Sequence, residues 1–115
     1  MERAKLIDTG FSTVDAEYPV ILSDGGTLTL RFEDWQENEV EIYFGEPVAF
    51  KWQMCESFLE NEREDSCYEI ENSKWLAEHI SQSVVTKEEG YIHYKFNFNG
   101  NGQLEVLALG YMQKT

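Results

Sequence analysis

The stretch Thr27–Met54, TLTLRFEDWQENEVEIYFGEPVAFKWQM, contains three successive runs in which apolar and polar residues alternate. The apolar members are Leu28, Leu30 and Phe32 in the first run, Val40, Ile42 and Phe44 in the second, and Val48, Phe50, Trp52 and Met54 in the third. A period of two is typical of half-buried antiparallel strands. The stretch therefore predicts three strands, with Gly45-Glu46-Pro47 turning the chain from the second into the third.

One register of the first two runs places their six apolar side chains on the same face of a hairpin. The apolar pairs are Phe32 with Val40, Leu30 with Ile42, and Leu28 with Phe44. The other face then holds Arg31 opposite Glu41, Thr29 opposite Tyr43, and Glu33 opposite Glu39. Like charges directly opposite each other destabilise a sheet, so folding alone does not favour the last pair.

Further strands are predicted on both sides of this stretch. We expect short strands at residues 4–9 and 18–23, the second of them at a sheet edge because Pro19 cannot donate to a ladder. A second hairpin joins residues 92–98 to residues 104–109 through Asn-Gly turns. The last run is apolar on both faces apart from Glu105, which indicates a central strand.

The principal helix is predicted at residues 73–83. Asn72 or Ser73 can cap its start, and an apolar stripe recurs at spacings of one, three and four residues. We expect Trp75 and Ile80 on that stripe to be largely buried. Residues 55–71 are expected to hold a solvated loop or frayed helix. The chain is thus predicted to be one α+β domain, residues 1–115, a mainly antiparallel sheet with this helix packed on it.

The formal net charge is −13, and it is concentrated in the first part of the chain. Residues 1–71 hold 18 Asp and Glu against 5 Lys and Arg, whereas residues 72–115 hold 4 of each kind. Such a field disfavours binding to nucleic acid or to anionic lipid and favours a basic partner. The alternative is that acidity serves solubility alone. The sequence has no signal peptide pattern and no long apolar run, so we expect a cytoplasmic protein.

Metal and thiol chemistry are not expected. Cys55, Cys67, His79 and His93 supply the atoms of a zinc site, but none of them form the close ligand pairs that zinc sites use. Both cysteines flank the most acidic segment, where negative charge raises a thiol pKa and opposes nucleophilic catalysis. His93 is expected to face out of a strand beside Lys95. We therefore predict free thiols, no metal, no cofactor and no enzymatic activity.

The candidate site is the hairpin loop and the outward face of its strands. Between residues 33 and 46 there are six carboxylates and no basic residue. Trp35 in the loop and Tyr43 on the outward face are suitable interface anchors, because such side chains bury much area at low entropic cost. The alternative for Trp35 is that it folds back over the sheet edge. The predicted partner-binding residues are Glu33, Asp34, Trp35, Glu37, Glu39, Glu41 and Tyr43.

The segments LTLRFEDW (residues 28–35) and HYKFNFNGNGQLEVLALGY (residues 93–111), with the size and acidity of the chain, resemble small bacterial immunity proteins of polymorphic toxin systems. The resemblance implies a non-catalytic inhibitor without cofactor, whose acidic face covers the cationic active site of a toxin such as a nuclease encoded beside it. Two alternatives remain open. One is a nucleic-acid mimic whose carboxylates imitate phosphates, and the other is a small ligand-binding or enzymatic domain.

Overall fold

A computed structural model describes residues 1–54 and 56–114, which form nine strands and one α-helix. The strands before the helix are β1 (Arg3–Leu6), β2 (Glu17–Asp24), β3 (Thr27–Glu33), β4 (Glu39–Gly45), β5 (Ala49–Gln53) and β6 (Cys67–Glu71). Helix α1 (Lys74–Ser81) follows, and the last strands are β7 (Ile92–Phe98), β8 (Gly102–Ala108) and β9 (Gly110–Gln113). The predicted α+β fold with mainly antiparallel sheet is confirmed.

The strands form two antiparallel sheets. The five-stranded sheet has the order β1-β6-β7-β8-β5, and the four-stranded sheet has the order β2-β3-β4-β9. Strand β8 lies between β7 and β5, which confirms the predicted central position of this run. Strand β2, which contains Pro19, lies at an edge as predicted.

The β3–β4 hairpin has the predicted register. Phe32 pairs with Val40, Leu30 with Ile42 and Leu28 with Phe44, and all six side chains are buried. This face packs against the inner face of the five-stranded sheet. Aromatic rings contact each other across the interface, with ring centroids 5.2 Å apart for Phe32 and Phe98 and 5.5 Å apart for Phe44 and Phe96. The hydrophobic core is therefore the layer between the two sheets.

The chain crosses between the sheets twice at one corner. After β4 the Val48 amide donates to the Leu107 carbonyl at 3.0 Å, which attaches β5 to the other sheet. After β8 the Leu109 amide donates to the Gly45 carbonyl at 2.8 Å, before β9 joins β4. Because β5 is an edge strand, the expected half-burial of its apolar side is only partly correct. Phe50 and Met54 on that side are exposed.

Helix α1 begins after Ser73, whose hydroxyl oxygen accepts the Leu76 amide at 3.0 Å. The helix ends at Ser81, two residues earlier than predicted. The expectation that Trp75 and Ile80 are largely buried is wrong, because both are half-buried. The physical reason is that α1 lies on the outer face of β7, away from the apolar core.

The acidic segment before the helix is only partly a loop. Residues 56–66 form no regular element, but the last five residues of the region are strand β6. Tyr68 and Ile70 alternate with Glu69 and Glu71, but this signal is short and stands in a strongly acidic segment, so the strand was missed. Cys55 lies outside the described residues.

Replacing Gly102 with Ala should strongly destabilise the fold. Gly102 has a φ of 119°, and an added Cβ would lie 2.4 Å from Cζ2 of Trp52. Backbone strain and the clash together should lower the free energy of unfolding by roughly 3–5 kcal/mol, as measured by urea denaturation.

The matched control is Gly100→Ala in the same hairpin turn, where φ is 80° but the position of the added Cβ is open. It should cost only about 1–2 kcal/mol. Equal losses in both variants would contradict the close packing of Trp52 on Gly102.

Candidate functional site

The acidic end of the four-stranded sheet is built by three neighbouring strands. Glu17 of β2 pairs with Glu33 of β3, and Glu33 pairs with Glu39 of β4. Residues directly opposite on adjacent strands point to the same face, with Cβ atoms about 4.5–5.5 Å apart. The three carboxylates, which we call the acidic row, therefore stand side by side on the outer face of the sheet.

No member of the acidic row takes part in an ion pair with another described residue. The neighbouring Glu41 differs from them. Its carboxylate accepts a hydrogen bond of 2.8 Å from the Tyr43 hydroxyl, and Nζ of Lys114 lies 3.9 Å away. The negative charge of Glu41 is thus stabilised by Tyr43 and Lys114, whereas the carboxylates of the acidic row have no basic partner among the described residues.

The hairpin loop is ordered by Asp34 and presents Trp35 to solvent. Oδ1 of Asp34 accepts the backbone amides of Gln36 and Asn38, both at 2.9 Å. Glu37 has a φ of 65°, the left-handed conformation that completes this type of loop. Trp35 is 59% exposed, so it does not fold back over the sheet edge. Asp34 serves mainly to shape the loop that carries the indole.

Two further carboxylates, Asp15 and Glu17, join this surface, and sequence reasoning missed both. The Asp15 amide donates to Oδ1 of Asn99 at 2.8 Å, and the Asn99 amide donates back to Asp15 at 3.0 Å. The sequence gives little signal for them, because the pairing of β2 with β3 shifts between Glu17 and Val20. A depression of about 300 Å³ results, lined by Asp15, Glu17, Glu33, Asp34, Trp35 and Glu37.

The structure brings most of the predicted site residues together. Glu33, Asp34, Trp35 and Glu37 line the depression, and Glu39 extends the acidic row beside it. Glu41 and Tyr43 lie further along the same outer face and bind each other. Tyr43 is half-buried, so its ring adds less accessible surface than that of Trp35.

A second candidate site lies on the opposite side of the molecule. A cavity of about 370 Å³ is bounded by the outer face of the five-stranded sheet, by α1 and by residues 56–66. His93, Lys95 and Glu105 form its floor, and Trp75 forms one wall. Nζ of Lys51 lies 4.5 Å from the centroid of the Trp75 ring, a cation–π contact.

A chain of hydrogen bonds joins a serine, a histidine and a glutamate beside this cavity. Ser73 Oγ lies 2.6 Å from Nδ1 of His93, and Nε2 of His93 lies 2.8 Å from Oε1 of Glu105. The order of residues resembles a nucleophilic relay. Ser73 is buried, however, and its oxygen also accepts the Leu76 amide at the start of α1. The chain of bonds is therefore suited to tethering the helix to the sheet.

His93 and Lys95 point away from the apolar core as predicted, but they are not exposed. Both are buried beneath α1 and residues 56–66. Nζ of Lys95 donates to Glu62 at 2.9 Å and to the Ser57 carbonyl at 2.7 Å. These contacts hold residues 56–66 on the sheet, because a buried ammonium requires a charged or polar partner.

Cys67 belongs to the core between the sheets. Burial raises the pKa of its thiol to about 12, against a smaller opposing effect of a hydrogen bond with Thr13. The expected cause, neighbouring negative charge, is therefore wrong. Cys67 pairs with Phe96 on the inner face, whereas His93 points to the outer face, so these two residues do not converge on one site.

Comparisons with protein families, curated proteins and solved structures find no match for this chain. In the described part of the chain, no helix is long and apolar enough to cross a membrane.

Replacing Glu105 with Gln should destabilise the protein near neutral pH but much less in acid. Burial alone would raise the pKa of Glu105, but the hydrogen bond from His93 and the charges of Lys51 and Lys95 lower it below its ordinary value of 4.5. A carboxyl whose folded pKa is lowered stabilises the fold above its unfolded pKa, and this contribution is lost as the pH falls through the folded pKa. Denaturation at several pH values measures the difference between variant and wild type.

The control is Glu60→Gln, at an exposed position in residues 56–66. It should change the unfolding free energy little at any pH. A loss for Glu105→Gln that stays constant from about pH 7 to about pH 3 would contradict the role of the carboxylate charge.

Proposed function

We propose that this chain is a non-catalytic acidic binding protein that recognises a basic protein through the end of its four-stranded sheet. The observation that carries this proposal is the acidic row, Glu17, Glu33 and Glu39, which forms no ion pair within residues 1–54 and 56–114 and lies beside the exposed Trp35. Opposed carboxylates repel each other, so the isolated fold is less stable with them than without them. A cationic partner relieves that repulsion on binding.

The proposal extends to an immunity protein that neutralises a basic toxin domain such as a nuclease. The active sites of nucleases carry positive charge where they bind phosphates, and an acidic surface with an aromatic anchor complements such a site. The support for this extension is the acidity of the chain together with the resemblance of residues 28–35 and 93–111 to immunity proteins. The partner to test first is the protein encoded beside this chain, because that resemblance implies adjacent genes.

The nucleic-acid mimic is the weaker alternative. Imitating a duplex requires carboxylates in an extended track, since phosphates repeat along the whole length of a nucleic acid. The acidic row lies across one end of the sheet, and the adjoining positions on β2 are occupied by Val20 and Leu22. A compact charge beside an apolar surface fits a protein partner better.

A small-molecule site is also the weaker reading of the cavity under α1. The polar groups of its floor already bind each other, since Lys95 pairs with Glu62 and His93 with both Ser73 and Glu105. Binding sites usually keep a few polar groups free to orient a ligand. This cavity is therefore better explained as the interior of the layer that covers the sheet.

Charge reversal of the acidic row should slow association. With the adjacent gene product as partner, the wild type should associate quickly, with a rate constant approaching roughly 10⁸ M⁻¹s⁻¹ at low ionic strength and falling as salt is added. The double variant Glu33→Lys, Glu39→Lys should associate more than tenfold more slowly, because steering depends on these charges. Stopped-flow mixing at several salt concentrations measures both rates.

The matched control is Glu60→Lys, Glu64→Lys, which changes the net charge equally at exposed positions outside the site. This control should keep most of the association rate. Equal slowing in the two double variants would mean that only the net charge matters, and an unchanged rate in the first would remove the acidic row from recognition.

Replacing Trp35 with Ala should act mainly on dissociation. The indole is exposed in the free protein, so its removal should leave the unfolding free energy within about 0.5 kcal/mol of the wild type. Loss of an aromatic anchor typically costs about 2 kcal/mol of binding, or roughly a thirtyfold faster dissociation. Surface plasmon resonance measures that rate, and an unchanged value would exclude Trp35 from the interface.

A further inference from the structure

The two sheets differ in what covers their outer faces. The outer face of the five-stranded sheet lies under α1 and residues 56–66, which reach it through Ser73, Ser57 and Glu62. On the four-stranded sheet, apolar side chains at the corresponding outward positions are exposed to solvent. A sheet normally buries an apolar face against another layer. This face therefore lacks the covering that the same chain provides on its other side.

The exposed apolar residues lie on the same face as the acidic row, in two neighbouring rows that also contain Thr29 and Arg31. Val20 pairs with Arg31 and Leu22 with Thr29, so both apolar side chains share the outward face of the acidic row. The row of Leu22 continues across β3 to Tyr43 and Met112. Val20 is 42% exposed, Leu22 45% and Met112 65%. We call Val20, Leu22, Tyr43 and Met112 the apolar band.

The centre of this face carries little net charge of its own. Arg31 lies opposite Glu41, and Glu41 accepts from Tyr43 and lies near Lys114. The outward carboxylates of β2, β3 and β4 that have no ion pair with another described residue lie at the strand ends, the acidic row at one end and Asp24 of β2 at the other. An apolar, nearly neutral centre with charge at the rim is the usual anatomy of a protein interface.

The size of the face indicates that the two regions act together. With strands about 4.8 Å apart and residues about 3.3 Å apart along each strand, these four strands of four to eight residues cover roughly 400 Å². A stable interface usually needs about 800 Å² on each partner. The whole face, with the apolar band and the acidic row together, provides only about half of that area, so an interface must use both regions and extend to the Trp35 loop beyond the strands.

The net charge of the chain favours a basic protein over a second copy of the chain as the molecule that binds this face. A second copy would bring another −13 formal charges to the surface, whereas a basic partner gains electrostatic attraction. We infer that the apolar band and the acidic row form one continuous docking surface for a basic protein whose contact region presents aliphatic side chains among lysines or arginines. This inference rests on the proposed function and adds that recognition is apolar at its centre.

The test compares two synthetic peptides of equal length and charge. One has lysine and leucine arranged as an amphipathic helix, and the other has alanine in place of every leucine. Both should shift the backbone amide NMR signals of the loop around Trp35. Only the leucine peptide should also shift those of Val20, Leu22 and Met112, and it should bind roughly tenfold more tightly.

A pair of variants separates the contribution of the apolar band to peptide binding from that of exposed apolar residues elsewhere on the surface. Leu22→Ser should lower the affinity for the leucine peptide roughly fivefold and leave the affinity for the alanine peptide unchanged. Leu6→Ser is the matched control, because Leu6 is an exposed leucine on an edge strand of the other sheet. It should alter neither affinity. Circular dichroism of both variants verifies that the fold is retained.

The outcomes are distinct. If neither peptide shifts the signals around Trp35, the proposed function fails. If both shift those signals equally and the apolar band stays unchanged, the proposed function stands and this inference is wrong. Shifts at the apolar band that depend on protein concentration without peptide would identify a second copy as the occupant and would also overturn the inference.

Discussion

The buried ion pair between Lys95 and Glu62 is the constraint on which the outer layer of the molecule depends. Strand β7 is central in its sheet and is covered by α1 and residues 56–66, so its outward residues are buried as well as its inward ones. A lysine at such a position needs a partner, and leaving its charge unpaired would cost several kcal/mol. Glu62 meets this need with a fully buried side chain. Residues 56–66 therefore lie on the sheet although they form no regular element.

The two outer faces consequently differ in whether their charged side chains are paired. On the five-stranded sheet, Lys95 and Glu105 each have a partner of opposite charge or a hydrogen-bonded histidine. On the four-stranded sheet, Glu33 stands between two other carboxylates. The chain contains few basic residues, and several of them serve the covered face. The acidic row thus has no basic partner among the residues that the structure describes.

The sequence predicts those parts of the structure in which a single face is buried. Alternation in β3 and β4 gave the hairpin register and the opposition of Glu33 to Glu39, because only one pairing buries all the apolar side chains. Strand β6 was missed because its alternation is short and stands in a strongly acidic segment. The buried state of His93 could not be predicted, since it depends on residues 56–66 and α1 covering a sheet whose two faces are both buried. Glu17 was missed because it lies opposite Glu33 only as a result of the register shift between Glu17 and Val20 in β2.

The connections between strands have a consequence for how the chain assembles. The β3–β4 hairpin joins neighbouring segments, whereas Gly45 of β4 pairs with Gly110 of β9, 65 positions later. Local pairings close small loops and form quickly, but distant ones must overcome a larger entropy of closure. The acidic hairpin can therefore form before its own sheet is complete. The acidic row itself is complete only when β2 brings Glu17 beside Glu33, so a basic partner that binds the whole row more tightly than the hairpin alone would favour the folded state by mass action.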